Sequence, residues 1–183
     1  EEFVPIKSFG NDAPIVYLGT FSKILSPGFR IGWMVAHPIL IEKIGLAKQS
    51  VDACSSSFGQ VVANDYLVTG AIDNYLRKMR QVYKDKKNKM VDCIDNYFPK
   101  EVGRTNPDGG FFIYLDLPKN SSAEELFKKT IEKKVAFVTG EPFHINPLEG
   151  DRHIRLSFSN SSYDEIERGI KIMGDTLKDF LLR

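Results

Sequence analysis

Val16-Tyr17-Leu18-Gly19-Thr20-Phe21-Ser22-Lys23-Ile24-Leu25-Ser26-Pro27-Gly28-Phe29-Arg30-Ile31-Gly32-Trp33 is the stretch from which the rest of the chain can be read. Its apolar ends read as two strands, Ile15 to Leu18 and Ile31 to Val35. Between them lie a hydroxyl-rich turn that ends in a lysine and a Pro-Gly corner that carries Arg30. Strands with so few charges are expected to be buried, which sets the intervening polar residues at a strand end, where α/β proteins bind ligands. Thr20, Ser22, Lys23 and Arg30 supply two hydroxyls, an amine and a guanidinium, a set that suits a phosphate-bearing ligand with an electrophilic group. The same residues also fit a solvated turn, because charged side chains are mostly exposed. Taken by itself the stretch leaves both readings open.

Composition narrows the class. The 183 residues are 42% hydrophobic and 27% charged, with a formal net charge of +1. These are ordinary values for a globular chain, and they provide no general pull toward nucleic acid or a membrane surface. Lys84, Lys86, Lys87 and Lys89 form a local basic run, but Asp85 and Asp92 interleave with it, as on a solvated helix face. Cys54 and Cys93 are far apart and lack a CxxC partner, and His37, His144 and His153 show no i,i+4 pairing, so neither a disulfide framework nor a metal site is expected. No apolar run approaches the roughly 20 residues that span a bilayer. Glu1-Glu2 has the wrong charge for a signal peptide, and a cytoplasmic location is the default expectation.

Residues 1 to 14 read as the end of a domain begun earlier. His37-Pro38 starts a helix with Pro38 at its first position, and the Ser-rich segment Ser50 to Ser57 leads to another from about Phe58 to Val68. A long amphipathic helix is predicted from about Ile72 to Phe98, with apolar residues at helical spacing and Pro99 as its stop. At roughly 1.5 Å per residue it would span about 40 Å, enough to bridge two domains. Beyond it, Phe111 to Leu117 is a strand approached through Asn106-Pro107-Asp108-Gly109-Gly110. The capping box Ser122-Ala123-Glu124-Glu125 opens a helix to about Lys134. Val135 to Val138 reads as a short strand, Gly140 to Gly150 as a loop, and His153 to Phe158 as a strand with Ile154, Leu156 and Phe158 inward and Arg155 outward. Ser162-Tyr163-Asp164-Glu165 caps the last helix, whose inner face is Ile166, Ile170, Met173, Leu177 and Phe180. The expected fold class is α/β with an α+β small domain, a mostly antiparallel sheet with helices on one face.

Ser22-Lys23 followed by Pro27-Gly28-Phe29-Arg30-Ile31-Gly32-Trp33 resembles the lysine motif of class I/II, fold-type I aminotransferases that use pyridoxal 5'-phosphate (PLP). More narrowly, it resembles the aminoadipate/kynurenine group and the aminotransferase-like domains of MocR-type regulators. Pro107-Asp108-Gly109-Gly110-Phe111-Phe112 and Ile154-Arg155-Leu156-Ser157-Phe158 extend the resemblance in the family's order. It implies a C-terminal portion of such a transferase. Residues 1–70 would be a remnant of the large PLP-binding domain, 71–98 an interdomain helix, and 99–183 the small C-terminal domain.

The resemblance also implies roles. Lys23 would hold the cofactor aldehyde covalently and move a proton. Arg30 would pair with its phosphate, Thr20 and Ser22 would add hydroxyl donors, and Arg155 would take the substrate α-carboxylate. Without the lysine motif, Arg155 would read as an ordinary exposed strand arginine. Amino-acid and 2-oxo-acid substrates and a homodimer are implied for the intact protein, with no nucleic acid bound by this part. A MocR-type effector domain and a PLP-dependent lyase share the motifs. Tyr17 and Trp33 read as core, and His144 as a solvated loop residue. Thr139-Gly140 stands where the family usually has Pro-Gly. The ring that stacks on the cofactor, an Asn and a Tyr near its phenolic oxygen and the Asp on its pyridinium nitrogen lie upstream in such enzymes. The isolated chain is therefore expected to be inactive.

Overall fold

The computed structural model describes residues 4–10, 14–52, 54–119 and 121–181. Two units separate, Glu1–Lys78 and Met79–Arg183. The division falls within a continuous 27-residue helix, Ala71–Tyr97. Gly70, at φ +69°, makes the left-handed turn that precedes this helix, a conformation glycine adopts without the penalty of a Cβ.

The first unit contains β1 (Tyr17–Thr20), β2 (Gly32–Val35), α1 (Pro38–Gln49), α2 (Ser57–Val68) and the start of the long helix, α3 (Ala71–Tyr97). β1 and β2 pair antiparallel, from Tyr17 opposite Val35 to Thr20 opposite Gly32. His37 Nδ1 accepts from the Ile39 N–H at 3.4 Å and so caps α1 ahead of Pro38. Ser56 Oγ caps α2 by accepting from the Gly59 N–H at 3.2 Å. The buried core is small: Phe21, Ala63 and Ile72, with Ile24, Leu25, Ile31 and Leu76 packed against it.

The expectation of buried strands fails here. Leu18 is 67% exposed, Trp33 38%, and every residue of β2 faces solvent. Trp33 is therefore not core, and Tyr17 is only half-buried. A two-stranded sheet buries its faces only against another layer, and among the described residues of the unit none covers them. Likewise α1 buries no residue, although Ile39, Leu40, Ile41, Ile44 and Leu46 make it apolar on more than one side.

The second unit holds the rest of α3, β3 (Gly103–Arg104), β4 (Phe112–Asp116), α4 (Ala123–Glu132), β5 (Val138–Thr139), α5 (Pro147–Gly150), β6 (His153–Ser157) and α6 (Tyr163–Leu181). Its sheet has the order β3-β4-β6-β5, antiparallel throughout. Ile113, Leu115, Ile154 and Leu156 point to one face and join Met90, Cys93 and Ile94 of α3, Leu126 of α4 and Ile166, Ile170, Met173 and Leu177 of α6 in one core. Of the two expected capping boxes only that of α6 forms in full. At α4 Ser122 Oγ accepts from the Glu125 N–H at 3.4 Å but donates to Asp151, and among the described residues no bond returns from the Glu125 carboxylate. At α6 the Glu165 carboxylate accepts from the Ser162 N–H at 2.8 Å, and Ser162 Oγ accepts from the Glu165 N–H at 3.3 Å.

Four details differ from the sequence reading. The edge strand β3 was not expected. The strand placed at Val135 to Val138 is only Val138–Thr139, because the Val135 N–H is spent on the Thr130 carbonyl at 2.9 Å where α4 ends, and pairing with β6 begins at Val138 opposite Arg155. The loop from Gly140 to Gly150 contains a 3-10 turn, Glu141–Phe143, and the one-turn α5. Of the basic run on α3, only Lys84 is exposed. Lys86 donates to the Ser159 carbonyl at 3.1 Å, Lys87 to Asn106 Oδ1 at 3.2 Å, and Lys89 pairs with Glu167.

Candidate functional site

Phe21 organises the lysine turn. Its N–H donates to the Ile31 carbonyl at 3.0 Å, and its own carbonyl accepts from Leu25 at 2.8 Å and Ser26 at 3.1 Å. With its ring buried and tilted against Trp33 at 5.0 Å, Phe21 pins both ends of the turn that presents Lys23 to solvent. Among the described residues Lys23 has no carboxylate partner. Thr20 is spent on the turn itself: its hydroxyl donates to the Ile31 carbonyl at 3.3 Å and accepts from the Ser22 N–H at 3.1 Å. The Ser22 hydroxyl makes no such bond among the described residues.

Arg30 stands at the end of a 3-10 turn, Pro27–Phe29, in the left-handed conformation with φ 54° and ψ 40°. A non-glycine residue there carries strain of about 1 kcal/mol or more. Only its Nη1 is engaged, donating to the Pro27 carbonyl at 3.4 Å, which leaves most of the fork open. Gly59 on α2 backs this segment: a Cβ there would come 2.9 Å from Ile31 Cδ1 and 3.4 Å from the Phe29 ring. The sequence reading missed Gly59; a glycine inside a helical pattern was its signal.

Arg155 belongs to the other unit. It projects from the sheet face opposite the helices, half-buried, opposite Tyr114 in the β4–β6 register. Its Cζ lies 4.2 Å from the Phe112 ring centroid and 4.6 Å from that of Phe143. No carboxylate or carbonyl takes its N–H groups among the described residues. Beside it, Tyr114 and His153 stack at 5.3 Å and His153 and His144 at 5.0 Å. His144 is thus no solvated loop residue: it is half-buried, and its Nε2 lies 3.1 Å from Tyr114 Oη. Burial, with a smaller contribution from Asp116, pushes the Tyr114 phenol up, so it keeps its proton at neutral pH.

The profile described as "Aminotransferase class I and II" matches residues 2–173. The chain belongs to the class I and II aminotransferase family. Aromatic-amino-acid aminotransferase 1 of Thermococcus litoralis is 38% identical over 98% of the chain and 43% of its own length. A solved kynurenine aminotransferase of Pyrococcus horikoshii is 40% identical, with a TM-score of 0.92 over 96% of the chain and 43% of its own. An uncharacterised HTH-type transcriptional regulator of Bacillus subtilis, YdfD, is 32% identical over 98% of the chain and 36% of its own length. The chain therefore spans less than half the length of the curated relatives it matches. The fold class read from the sequence, a C-terminal part of a fold-type I transferase, holds.

The donor set fits the cofactor of an aminotransferase: an unpaired amine for an aldehyde, and an open guanidinium fork for a phosphate. Thr20 fits less well as a direct donor, since its proton is already given to Ile31. Among the described residues no group of three or more His, Cys, Asp or Glu could hold a metal ion. No described helix is long and apolar enough to cross a membrane.

Proposed function

We propose that this chain is the C-terminal portion of a PLP-dependent aminotransferase that moves an amino group between an amino acid and a 2-oxo acid. The observation that carries the reading is the turn closed on Phe21, which presents Lys23 without a carboxylate to neutralise it. No ion pair has to be broken before this amine condenses with an aldehyde, and in its deprotonated form it can serve as nucleophile and proton carrier. PLP, when bound, supplies the aldehyde and the electron sink that make the amino acid's α-proton removable. Lys23 holds the cofactor and then carries the proton; Arg30 takes its phosphate through a planar fork; Ser22 adds a hydroxyl. Arg155, which has no anion of its own, takes the substrate carboxylate.

The intact protein is proposed to be a cytoplasmic homodimer. Two free cysteines, Cys54 exposed and Cys93 buried, agree with a reducing compartment. The apolar surface of β2 and α1 agrees with a chain that relies on further layers, and the segment by itself is proposed to be inactive. The similarity to an HTH-type regulator favours a second reading, in which the same site senses cofactor or amino acid.

The test uses the full-length protein with PLP. Lys23→Ala should abolish the absorbance band of lysine-bound cofactor and reduce amino transfer by several orders of magnitude, with the circular dichroism unchanged. Survival of the band would refute the anchor role. A wild-type protein that binds PLP and amino acid yet transfers no amino group would favour the regulator.

A further inference from the structure

Arg155 is held from both β4 and the loop before α5, and neither contact uses an anion. Phe112 comes from the outward side of β4 and Phe143 from the end of the Glu141–Phe143 turn. Both rings remain nearly half exposed, at 43% and 48%, so the core does not hold them. Aromatic faces attract a guanidinium through their quadrupole, whereas a carboxylate in the same position would neutralise it.

The loop that brings Phe143 is itself pinned. A Cβ on Gly140 would come 2.5 Å from His153 Cβ, 2.6 Å from the Gly150 carbonyl and 2.8 Å from Tyr114 Oη. A Cβ on Gly150 would likewise come 2.6 Å from the N and Cα of Glu141. The residue after Phe143 is His144, bonded to Tyr114 at 3.1 Å and stacked on His153 with an interplanar angle of 4°. The Tyr114 ring also meets Phe143 edge-on at 6.3 Å.

We propose that Phe112 and Phe143 are positioning residues that hold the Arg155 guanidinium unneutralised and aimed for a planar carboxylate, and that the Tyr114–His144 bond fixes Phe143 in that clamp. The inference rests on the carboxylate role of Arg155 and assigns the residues that make this role work. A stacked guanidinium keeps its N–H edge free, and a carboxylate meets that edge in plane through two parallel hydrogen bonds. A leucine at either position keeps apolar bulk but has no ring face to offer. Among the described residues no hydrogen bond joins His144 to the guanidinium; it acts through Tyr114 and its chain neighbour Phe143.

The experiment takes the full-length protein loaded with PLP and two probes of similar shape, 3-phenylpropanoate and its uncharged amide, with binding measured by calorimetry. Phe112→Leu and Phe143→Leu should each weaken the carboxylate about tenfold and leave the amide and the cofactor absorbance unchanged. Phe143→Tyr should restore wild-type affinity. His144→Ala should weaken the carboxylate by a smaller factor, and His144→Gln, which can still bond Tyr114, should recover part of it. In steady state the leucine variants should raise KM for the amino acid with little change in kcat. If Arg155→Ala leaves carboxylate binding intact, the carboxylate role fails and the clamp with it. If Arg155→Ala abolishes binding while both leucine variants match wild type, the clamp alone is refuted. Should Phe143→Leu lose helical signal, Phe112→Leu decides the question, since it removes one ring without touching the loop.

Discussion

Gly19 faces Trp33 across the β1–β2 ladder with no room for a side chain. A Cβ on Gly19 would lie 2.1 Å from indole Cε2 and 2.2 Å from Cζ2. The indole in turn leans on Phe21, whose backbone closes the lysine turn. Gly19→Ala gains up to about 1 kcal/mol from the smaller backbone entropy loss, but it must displace the ring, and overpacking costs about 1–3 kcal/mol. Destabilisation should win. Trp33 is partly exposed and can swing outward, so the loss should fall at the low end. The chain contains one tryptophan, and a red shift of its fluorescence together with a lower Tm would register the displacement. An unshifted spectrum would contradict it.

Gly174 makes a different kind of close approach. It sits in α6, and a Cβ there would come 2.5 Å from the Tyr97 carbonyl oxygen at the end of α3. Alanine is the better helix former by about 1 kcal/mol, yet the obstacle is backbone and cannot rotate away. Gly174→Ala should therefore destabilise by about 1–3 kcal/mol, seen as a lower urea midpoint at unchanged slope. A more stable variant would mean that the two helices separate without cost.

Arg30→Lys should separate charge from geometry. Both residues bear a positive charge, but only the guanidinium offers a planar fork, and its open edge is the feature proposed to take the phosphate. Cofactor affinity should fall about tenfold while Tm stays within a degree or two, because Arg30 is exposed and donates only one long bond, 3.4 Å to Pro27. Equal affinity by PLP titration would remove Arg30 from the phosphate site.

Two carboxylates in the second unit set its response to acid. Arg104 donates to Asp95 through Nε at 2.7 Å and Nη2 at 2.6 Å, and this hydrogen bond holds the Asp95 carboxyl below its usual value. Glu167 is lowered by its hydrogen bonds, first from Lys89 and then from Tyr97 at 3.0 Å. Both folded pKa values lie below the unfolded ones. The stabilisation is thus fully present above the ordinary carboxylate range, about pH 4, and is lost as pH falls through the folded values. Asp95→Asn should lower the urea midpoint at pH 7 and have no effect in strong acid. Because the Asp95 carboxylate is exposed, added salt should shrink the difference at pH 7. A midpoint difference independent of pH would refute the charge-based account.

Much of the second unit was legible because its signals are local. Ser162 and Glu165 cap α6 through bonds three residues apart, and Ile166, Ile170, Met173 and Leu177 recur on one side of a helix wherever that helix sits. Alternation along β6 likewise separated Ile154 and Leu156 from Arg155. The lysine motif was legible for the same reason: the turn from Thr20 to Arg30 closes on its own backbone.

Burial and partnership were decided elsewhere. Apolar composition alone makes β2 read as buried, yet whether Trp33, Met34 and Val35 meet another layer depends on distant residues, and among the described residues of the unit none arrives. His144 reads as solvated until Tyr114, thirty positions earlier, comes within 3.1 Å of it. Lys86, Lys87 and Lys89 read as a solvated face until Ser159, Asn106 and Glu167 fold back onto them. By itself the sequence determined the longer helices, β4 and β6, the lysine turn and the outward side of Arg155, because each follows from short-range backbone and side-chain chemistry; the short β3, β5 and α5 were not legible in it. Only the tertiary structure decided that Arg155 lies between Phe112 and Phe143, since that clamp joins three segments through space and no periodicity encodes it.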